Sequence, residues 1–468
     1  MTELLVISFQ WLFFAYLITL NLGYIALNIS SLFYVLKYMQ ESEFENFIGL
    51  SPDFMPPISI LVPAYNEEIN VEATVRSLMQ LEYPEFEIIV INDGSKDKTM
   101  QKLISAFSLQ LFPEAYRIRI SVKPVREIYC SANYSNLRVI NKENGGKADA
   151  LNAGLNACRY PLYCCVDADS ILQRDSLKRV VKPFVEDSRT VASGGIIRIA
   201  NGCKVSGGFL TQVGLPGNFL ALIQVVEYLR AFLFGRLGWA QFNALLIISG
   251  AFGVFHKETV IAAGAYRVGT VGEDMDLVVR LHRYLRKKKV PYRITFVPDP
   301  VCWTEAPEDW STLRNQRIRW QQGLGESLTS NISLMFNLKA GMTGMFAFPF
   351  MFIFELFGPI IEICGYLFIF LGFIFDFISW NSFVAFFMLS FSLGMLVSVM
   401  AFLLEELTFR LYKGVKESLL LLGMAIIENL GYRQLIGVLR LIGLYRWLGG
   451  TKGKWGVMNR TARWQQNV

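Results

Sequence analysis

Apolar residues are concentrated at the two ends of the chain, and the stretch between them has the alternation of a soluble domain. Residues 4–36 contain no charged side chain, and this run exceeds the roughly 20 residues that a helix needs to cross a bilayer. The run is too long for a signal peptide and its start is not basic, so an uncleaved, tilted anchor helix is favoured. We therefore expect residues 1–56 to form an N-terminal transmembrane anchor and a linker.

Strand, loop and helix patterns repeat after Pro57. Helices are predicted to begin at Ile69 and Asp97, and strands are predicted at 58–62, 87–91, 137–140, 163–166, 191–199, 245–255 and 292–297. This alternation predicts an α/β domain with a doubly wound, mostly parallel sheet over residues 57–308. Ligands of such sheets bind beyond the carboxyl ends of the strands, so we expect the chemistry in the loops that follow them.

The segment 219–239 mixes Leu, Ile and Phe with the charged residues Glu227, Arg230 and Arg236. This mixture predicts an amphipathic helix that lies against protein or membrane without crossing it. A core helix of the sheet domain has the same pattern, and the sequence leaves both interpretations open.

Two apolar runs near the C-terminus, at 345–375 and 383–404, are each long enough to span a bilayer. Glu355 and Glu362 interrupt the first run, and carboxylates inside a membrane usually face a bundle interior or a polar channel. A third run begins at Leu419 but contains charged residues, and basic residues flank it on both sides. The positive-inside rule places both flanks in the cytosol, so either this run is re-entrant or the tail departs from the rule. We expect residues 341–468 to form C-terminal transmembrane helices and a basic tail.

The composition supports a membrane protein. Of the 468 residues, 53% are hydrophobic and 37 are Phe, and the mean hydropathy is +0.36, which is too apolar for an ordinary soluble enzyme. Seven scattered cysteines and two histidines make a zinc site improbable and suit a reducing cytosol. The formal net charge of +6 suits anionic lipid headgroups and does not indicate nucleic acid. We expect a multi-pass protein of the cell membrane with its sheet domain in the cytosol.

Polar loops follow the first two predicted strands. The first strand leads into Ala64-Tyr65-Asn66-Glu67, and the second leads into Asn92-Asp93-Gly94-Ser95. The carboxyl ends of neighbouring strands can frame one ligand, with hydrogen bonds to Asp93 and the Tyr65 ring packed on a flat base. Either loop taken alone is equally compatible with an ordinary helix N-cap.

A glycine-rich turn, Asn144-Gly145-Gly146-Lys147, opens a predicted helix. Glycines let the backbone approach a diphosphate, the helix N-terminus favours an anion, and Lys147 adds a positive charge. The turn lacks the spacing of a nucleotide-hydrolase phosphate loop, so a nucleotide hydrolase is disfavoured.

Paired carboxylates follow the buried strand at 163–166. Asp167 and Asp169 are one residue apart, and two such carboxylates at a strand end can jointly hold Mg²⁺ or Mn²⁺ and connect it to a diphosphate. An Asp-x-Asp alone is weak evidence, and its position after a buried strand strengthens the prediction.

Carboxylates also open the helix predicted at 275–286. Glu273 and Asp274 lie at its positively polarised N-terminus, where an N-cap role is the simpler interpretation. The functional interpretation is that Asp274 stays ionised and removes a proton from an acceptor hydroxyl.

Residues 309–340 are predicted to form interfacial amphipathic helices that carry Gln316-Arg317-Ile318-Arg319-Trp320. A basic and aromatic membrane-interface anchor has the same composition. In the functional interpretation, Arg319 neutralises a departing diphosphate and Trp320 offers a flat face to a sugar ring.

This ordered set of motifs resembles the membrane branch of family 2 glycosyltransferases, which includes cellulose, chitin, hyaluronan and poly-N-acetylglucosamine synthases. The resemblance covers residues 57–320 and the flanking membrane helices. It implies a GT-A fold, a UDP-sugar donor, Mg²⁺ or Mn²⁺, and an inverting displacement that gives a β-linkage.

The resemblance also implies roles for individual residues. Those of the donor site are Tyr65, Glu67, Asp93, Lys147, Asp167 and Arg319. Asp169 is implied as the metal-binding second aspartate, with Asp167 beside it. Glu273 and Asp274 match the family's Thr-Glu-Asp motif with Gly272 in the first place, which implies Asp274 as the base.

The resemblance also implies residues of an acceptor site. They are Gln316 and Trp320 of the Gln-x-x-Arg-Trp motif, and Gly250 and Phe252 of the Ser-Gly-Ala-Phe loop. The segment 106–135 is longer and more basic than this resemblance implies.

We therefore expect an enzyme that transfers a sugar from a UDP-sugar to a growing β-linked polysaccharide, processively and with export across the bilayer. The first alternative is transfer of one sugar to a lipid-linked or short glycan acceptor. The other alternative, from a different class, is a non-catalytic membrane or transport protein. An accessory membrane subunit or a homo-oligomer is compatible with the sequence.

Overall fold

The computed structural model describes residues 2–48, 54–112, 114–206 and 209–450. A long N-terminal helix, α1 (Thr2–Ile48), leads into a sheet domain, and helices follow to the C-terminal end of the described chain. Part of the predicted linker and the predicted basic tail, residues 451–468, lie outside the described residues.

Ten strands of the described chain form one mixed sheet, in the order β3-β4-β5-β2-β1-β6-β11-β8-β12-β7. In chain order these strands are β1 (Ile58–Ala64), β2 (Phe86–Asp93), β3 (Leu109–Leu111), β4 (Val125–Ser131), β5 (Leu137–Lys142), β6 (Leu162–Val166), β7 (Ile171–Leu172), β8 (Thr190–Ile199), β11 (Phe252–His256) and β12 (Arg293–Thr304). A separate hairpin consists of β9 (Lys204–Ser206) and β10 (Phe209–Gln212).

The centre of the sheet is parallel, and the flanks are mixed. Strands β5, β2, β1 and β6 run parallel, because each crossover carries a helix back across the sheet. Strand β11 is antiparallel to both of its neighbours, and β12 is parallel to β8. The predicted strand 245–255 is shorter than expected, since only Phe252–His256 joins the sheet.

The segment 106–135 extends the sheet at its outer edge. Strand β4 pairs antiparallel with β5, and β3 pairs with β4. In the part of the chain between β3 and β4, the backbone N–H groups of Arg119 and Ile120 donate to Asn156 Oδ1 at 2.9 and 3.0 Å. This segment therefore packs along a helix of the sheet domain.

Helices cover the sheet on both faces: α2 (Val71–Leu78), α3 (Thr99–Phe107), α4 (Lys147–Ala157), α5 (Ser176–Glu186), α8 (Lys257–Ala262) and α9 (Glu273–Lys288). The charges of α9 match its dipole, with carboxylates in the first turn and basic residues in the last. The helix ends at Lys289, which adopts a left-handed conformation with φ 56°.

Two helical segments lie between the sheet domain and the remaining helices. The predicted segment 219–239 is continuous, with α6 (Phe219–Tyr228), a π-helical stretch (Leu229–Arg236) and α7 (Leu237–Gln241). The Asn218 side chain caps it by accepting the N–H groups of Leu220 and Ala221. The predicted interfacial helix is α10 (Trp310–Thr329).

In the part of the chain that the structure describes, three helices are long and apolar enough to cross a membrane: Ile7–Gln40 within α1, Trp380–Thr408, and Val415–Leu448. A fourth span results if the bent pair Thr343–Leu356 and Gly358–Ile374 counts as one, and its two parts meet at 47°. The C-terminal helices are α11 (Phe348–Phe350), α12 (Gly358–Ile374), α13 (Trp380–Thr408), α14 (Val415–Ile427) and α15 (Arg433–Leu448). Helices able to span a membrane therefore occur at the N-terminus and toward the C-terminus, as expected.

The third apolar run is interrupted. Between α14 and α15, Leu430 and Gly431 leave helical geometry, and Gly431 has a φ of 99°. This break places non-helical backbone between two apolar helices. Inside a bilayer, such backbone is stable only where it is buried in protein or lines a polar cavity.

Polar contacts fix the sheet domain to the long helices. The Tyr38 hydroxyl near the end of α1 donates to Asp299, which also accepts from Arg179 Nη1 at 2.7 Å. On the other side, Arg198 of β8 forms a buried ion pair with Glu405 of α13. Breaking a buried pair of this kind typically costs about 3–5 kcal/mol, so these contacts restrict the orientation of the domain.

Candidate active site

A cavity of about 530 Å³ lies where the loops of the sheet meet α10 and the C-terminal helices. Most of the predicted site residues line it: Lys147, Asp167, Asp169, Gly250, Glu273, Asp274, Gln316, Arg319 and Trp320. They come from segments that are far apart in the chain. The fold therefore brings the Gly-Gly-Lys, Asp-x-Asp, Glu-Asp and Gln-x-x-Arg-Trp motifs to one place.

The loops after β1 and β2 lie next to each other, as predicted, but do not line this cavity. The Asn66 N–H donates to Ser95 Oγ at 3.0 Å, and the Lys96 N–H donates to Asn66 Oδ1 at 2.9 Å. The Tyr65 side chain is 46% exposed, which leaves its ring accessible to a ligand. Donor binding by Tyr65 and Glu67 therefore stays a prediction, and it concerns a surface beside the cavity.

Asp93 is buried and holds the glycine-rich turn. Its carboxylate accepts the N–H groups of Gly145 at 3.0 Å and Gly146 at 2.8 Å, and it pairs with Lys142 Nζ at 2.6 Å. Lys142 is fully buried and also pairs with Asp149 in the first turn of α4, again at 2.6 Å. These contacts favour a role for Asp93 in shaping the turn over direct contact with a base.

Lys147 lies among carboxylates at the edge of the cavity. Its Nζ atom is 2.5 Å from Asp167 Oδ1 and 3.7 Å from Glu273 Oε1. Burial lowers the pKa of Lys147, but the charges of Asp167 and Glu273 outweigh burial and hold that pKa above its usual value. Burial raises the pKa of Glu273 to about 7 against the opposing effect of Lys147. Lys147 is therefore a permanent cation, and Glu273 is poised to be neutral or charged near neutral pH.

Asp274 faces the cavity from the first turn of α9. One carboxylate oxygen accepts the Gly250 N–H at 3.2 Å, and the other accepts the Met275 N–H at 2.8 Å. These two hydrogen bonds hold the carboxylate in one orientation at the start of α9. A Cβ atom at Gly250 would lie 2.9 Å from Lys147 Nζ, so Lys147 would have to shift to admit a side chain there.

Gly272 replaces the threonine of the family motif for a structural reason. A Cβ atom at this position would lie 3.0 Å from the Gly323 Cα atom. The start of α9 and the middle of α10 therefore approach each other backbone to backbone. This contact brings Asp274 and the Gln-x-x-Arg-Trp motif to the same cavity.

Trp320 is held by residues that its own motif does not specify. The Arg317 guanidinium lies over its ring, with the carbon 4.3 Å from the ring centroid. Arg317 is buried and pairs with Glu227 of α6 at 2.8 Å, and Glu227 also accepts the Tyr432 hydroxyl at 3.0 Å. Sequence reasoning identified neither Arg317 nor Glu227 as functional, although a charged residue inside an apolar helix is a usable signal.

Phe252 does not line the cavity. Its side chain has no exposed surface and packs in the core of the sheet as the first residue of β11. This geometry does not support its predicted contact with an acceptor, which stays a prediction. Gly250, in the same predicted loop, does line the cavity.

The cavity continues from Trp320 between the long helices. Its lining there includes Tyr24 of α1, Glu355, Glu428 and Arg440. Arg440 Nη2 pairs with Glu355 Oε2 at 2.8 Å, and Tyr24 also donates to Glu355. The carboxylates of the apolar runs therefore face the bundle interior, as their positions in the sequence indicate.

The cavity residues also fit a divalent cation. Asp167 and Asp169 both line the cavity and offer the hard oxygen ligands that Mg²⁺ and Mn²⁺ prefer. Among the described residues no group of three or more His, Cys, Asp and Glu side chains is arranged to hold a metal. The two aspartates would therefore share the ion with oxygens of a bound ligand, which is how Mg²⁺ commonly binds beside phosphates.

The fold is that of GT-A glycosyltransferases. A mannosyltransferase from Pyrobaculum calidifontis, solved with GDP-Man and Mn²⁺, superposes with a TM-score of 0.53 at 18% sequence identity. The superposition covers 88% of this chain and 99% of that one. At this identity the likeness concerns the fold alone. It confirms the expected α/β fold class, whose sheet is mixed outside its parallel centre.

Sequence comparison defines the family. Residues 59–210 match the model "Glycosyl transferase family 2", and residues 164–403, more than half of the chain, match "Glycosyl transferase family group 2". The chain therefore belongs to the family 2 glycosyltransferases. This family is a class of enzymes, and the expected family is confirmed.

Curated relatives include poly-beta-1,6-N-acetyl-D-glucosamine synthases from staphylococci. That of Staphylococcus aureus strain COL is 31% identical over 281 residues, which cover 60% of this chain and 57% of that protein. That of Staphylococcus epidermidis is 30% identical over 274 residues, or 58% of this chain and 55% of that protein. The match thus spans little more than half the length of these relatives.

Proposed function

We propose that this protein transfers a sugar from a UDP-sugar to a growing β-linked polysaccharide and passes the product between its membrane helices. The observation that carries the proposal is a single cavity with two kinds of lining. Lys147, Asp167, Asp169 and Asp274 line it from the sheet domain, and Tyr24, Glu355 and Arg440 line it from the long apolar helices. The first group suits group transfer beside a diphosphate, and the second suits a polar path through apolar helices.

Asp274 is the proposed general base. Its carboxylate accepts two backbone N–H groups and faces the cavity, so it is oriented before an acceptor binds. A hydroxyl of the acceptor gives its proton to Asp274 as its oxygen attacks the anomeric carbon of the donor sugar. The bond between that carbon and the diphosphate oxygen breaks, UDP leaves from the opposite face, and the configuration inverts.

Cationic groups stabilise the charge that develops on the leaving diphosphate. Lys147 lies at the N-terminus of α4, whose dipole also favours an anion. Arg319 lines the same cavity from α10 and offers a guanidinium that matches phosphate oxygens. Asp167 and Asp169 would hold Mg²⁺ or Mn²⁺, which when bound neutralises diphosphate charge and makes UDP a better leaving group.

Trp320 is the proposed platform for the acceptor end of the glycan. Its ring is 45% exposed and lines the cavity, and sugar rings bind well to the flat faces of indoles. Gln316, one turn earlier on α10, lines the cavity beside it. An acceptor glycan bound there would present its attacking hydroxyl to Asp274. The sugar residues added in earlier rounds would extend toward the membrane helices.

The broken helices support export of the product. The break between α14 and α15 and the bend before α12 both adjoin the cavity, at Glu428 and Glu355. Non-helical backbone inside a bilayer is tolerated where it lines a polar conduit, and transporters use such breaks for this purpose. This geometry favours processive extension over a single transfer to a lipid-linked or short acceptor.

The proposal includes a location and partners. The catalytic domain would lie in the cytosol of a multi-pass cell-membrane protein, with an anchor over residues 1–56, the GT-A domain over 57–308, interfacial helices over 309–340 and membrane helices over 341–468. Its partners would be the UDP-sugar, the glycan and the bilayer, with an accessory membrane subunit or a second copy compatible with the fold.

The experiment is product analysis with purified protein in detergent or nanodiscs, Mn²⁺ or Mg²⁺, and a panel of UDP-sugars. The names of the curated relatives make UDP-N-acetylglucosamine the first donor to test. Long products at a high ratio of acceptor to enzyme would support processive extension. A product with one added sugar would support the single-transfer alternative, and UDP binding without turnover would favour a non-catalytic role.

A further inference from the structure

Arg236 is a cavity residue to which the mechanism above gives no role. It ends the π-helical stretch between α6 and α7, and it lines the cavity together with Asp274 and Trp239. Its guanidinium carbon lies 3.8 Å from the centroid of the Phe232 ring, which holds the group in place from one side. The stacked guanidinium is therefore fixed within the cavity wall.

Among the described residues, no carboxylate forms an ion pair with Arg236, although the charge of Asp274 acts on it. Three other cavity arginines, Arg230, Arg317 and Arg440, each pair with a glutamate. Arg236 makes no salt bridge with any residue that the structure describes, and its Nη1 atom is buried with no hydrogen-bond partner there. Burial lowers the pKa of Arg236 to about 10, with Asp274 opposing this effect, so the group is still charged at neutral pH.

A second unsatisfied group faces the same cavity. Gln316 is only 8% exposed, lines the cavity, and its Oε1 atom has no hydrogen-bond partner among the described residues. Buried polar atoms without partners are rare, and such a group in a cavity commonly meets a ligand. A donor on Arg236 and an acceptor on Gln316 together suit a ligand with hydroxyl or amide groups, as a sugar has.

The position of Arg236 favours contact with the acceptor over contact with the donor. The proposed diphosphate groups, Lys147 and Arg319, come from α4 and α10. Arg236 instead precedes α7, which packs closely on α1: a Cβ atom at Gly238 would lie 2.7 Å from the Leu27 carbonyl oxygen. Trp239 on this helix packs edge to face against Phe350 of α11, with the ring centroids 5.6 Å apart. Arg236 therefore lies between the Asp274 region and the membrane helices, where the acceptor glycan enters in our scheme.

We propose that Arg236 is an acceptor-binding residue that donates hydrogen bonds to a hydroxyl or carbonyl oxygen of the acceptor glycan beside Asp274. This inference rests on the proposed function. It assigns to the π-helical stretch a role in positioning substrate, in keeping with the frequent occurrence of π-helical turns at functional sites.

The test is a comparison of steady-state kinetics for Arg236→Met and Arg236→Lys, with a short oligosaccharide acceptor and the UDP-sugar varied separately. Loss of a charged hydrogen bond should raise KM for the acceptor by roughly tenfold or more in the Met variant, with KM for the donor unchanged. The Lys variant keeps the charge but loses the fork of donors, so it should show a smaller increase. Arg283→Met, at an exposed site on α9, is the matched control and should behave as the wild type.

A rise in donor KM alone, or no change in either KM, would overturn the assignment. If the Met variant does not elute as the wild type does in gel filtration, the Lys variant decides, and an unchanged acceptor KM there would also overturn it. Absence of turnover in the wild type would instead count against the proposed function.

Discussion

The guanidinium of Arg317 lies over the Trp320 ring, 4.3 Å from the ring centroid to the guanidinium carbon. The same guanidinium pairs with Glu227 on a different helix, at 2.8 Å. The orientation of the proposed acceptor platform is therefore set by a chain of contacts that crosses from α10 to α6. A cation stacked on an indole contributes about 0.5–2 kcal/mol, enough to fix one ring orientation.

Glu227→Gln should shorten the product without removing sugar transfer. The substitution weakens the ion pair that holds Arg317 over Trp320, so the platform loses its fixed orientation while Asp274 is untouched. The measurement is the product length distribution on a gel at equal turnover. Glu258→Gln, at an exposed pair with Arg119, is the control, and equal product lengths for wild type and Glu227→Gln would contradict the proposed role of the contact.

Lys142→Met should weaken donor binding. The fully buried ammonium pairs with both Asp93 and Asp149, and Asp93 in turn holds the Gly145 and Gly146 N–H groups. Its loss leaves two buried carboxylates without a cation, which typically costs about 3–5 kcal/mol, and the turn before Lys147 should shift.

The measurement for this prediction is the Kd of UDP by calorimetry, together with the unfolding temperature. Lys178→Met on the exposed face of α5 is the matched control. A lowered unfolding temperature with an unchanged Kd would limit Lys142 to a role in stability.

The sequence predicts the centre of the fold well and its edges poorly. Buried runs such as those of β1 and β6 are recognisable because the central strands are apolar on both faces. Strands β3 and β4 at the outer flank of the sheet escape prediction because they are partly exposed, with polar residues such as Arg126 and Glu127 in β4. The bend before α12 and the break at Gly431 depend on packing among helices, which a hydropathy pattern does not record.

For the site, motifs identify the residues but not their partners. Lys147, Asp167, Asp274 and Trp320 meet in one cavity, as the order of the motifs predicts. The pairing of Lys147 with Asp167, by contrast, depends on how α4 lies against β6. The burial of Phe252 follows from strand register, since a shift of one residue would turn its side chain to the other face.

Removal of divalent cations should abolish transfer and leave the fold intact. Asp167 and Asp169 would share the metal with the diphosphate, so the ion contributes to donor binding more than to protein stability. We expect activity to vanish in EDTA, to return with Mn²⁺ or Mg²⁺, and to require more metal in Asp169→Asn. The unfolding temperature without donor should not change, and full activity in chelator would refute the metal requirement.

Acid should destabilise the protein through His282. This buried residue contacts the Tyr292 hydroxyl at 2.7 Å and the Leu245 carbonyl oxygen at 2.8 Å. Burial lowers the pKa of His282 to about 4, against about 6.5 for an unfolded histidine. Protonation of His282 thus favours the unfolded state. The stability that the neutral histidine contributes to the folded protein is complete above pH 6.5 and declines as the pH falls to about 4.

The size of this contribution is about 3 kcal/mol, from about 1.4 kcal/mol for each unit of pKa difference. The measurement is the unfolding temperature in detergent from pH 7.5 to 4.5, for wild type and His282→Gln. The variant should be less stable at pH 7.5 and should lose less stability on acidification. Parallel curves for the two proteins would show that His282 is not the titrating group.

The central claim, that Asp274 is the base in transfer from a UDP-sugar, is tested most directly by UDP release. Wild type, Asp274→Asn and the Glu258→Gln control would be compared with UDP-N-acetylglucosamine, Mn²⁺ and an acceptor, and donor affinity would be measured separately. We predict that Asp274→Asn lowers the rate by about 100-fold or more with an unchanged Kd for the donor. Release by Asp274→Asn at the wild-type rate would contradict the account.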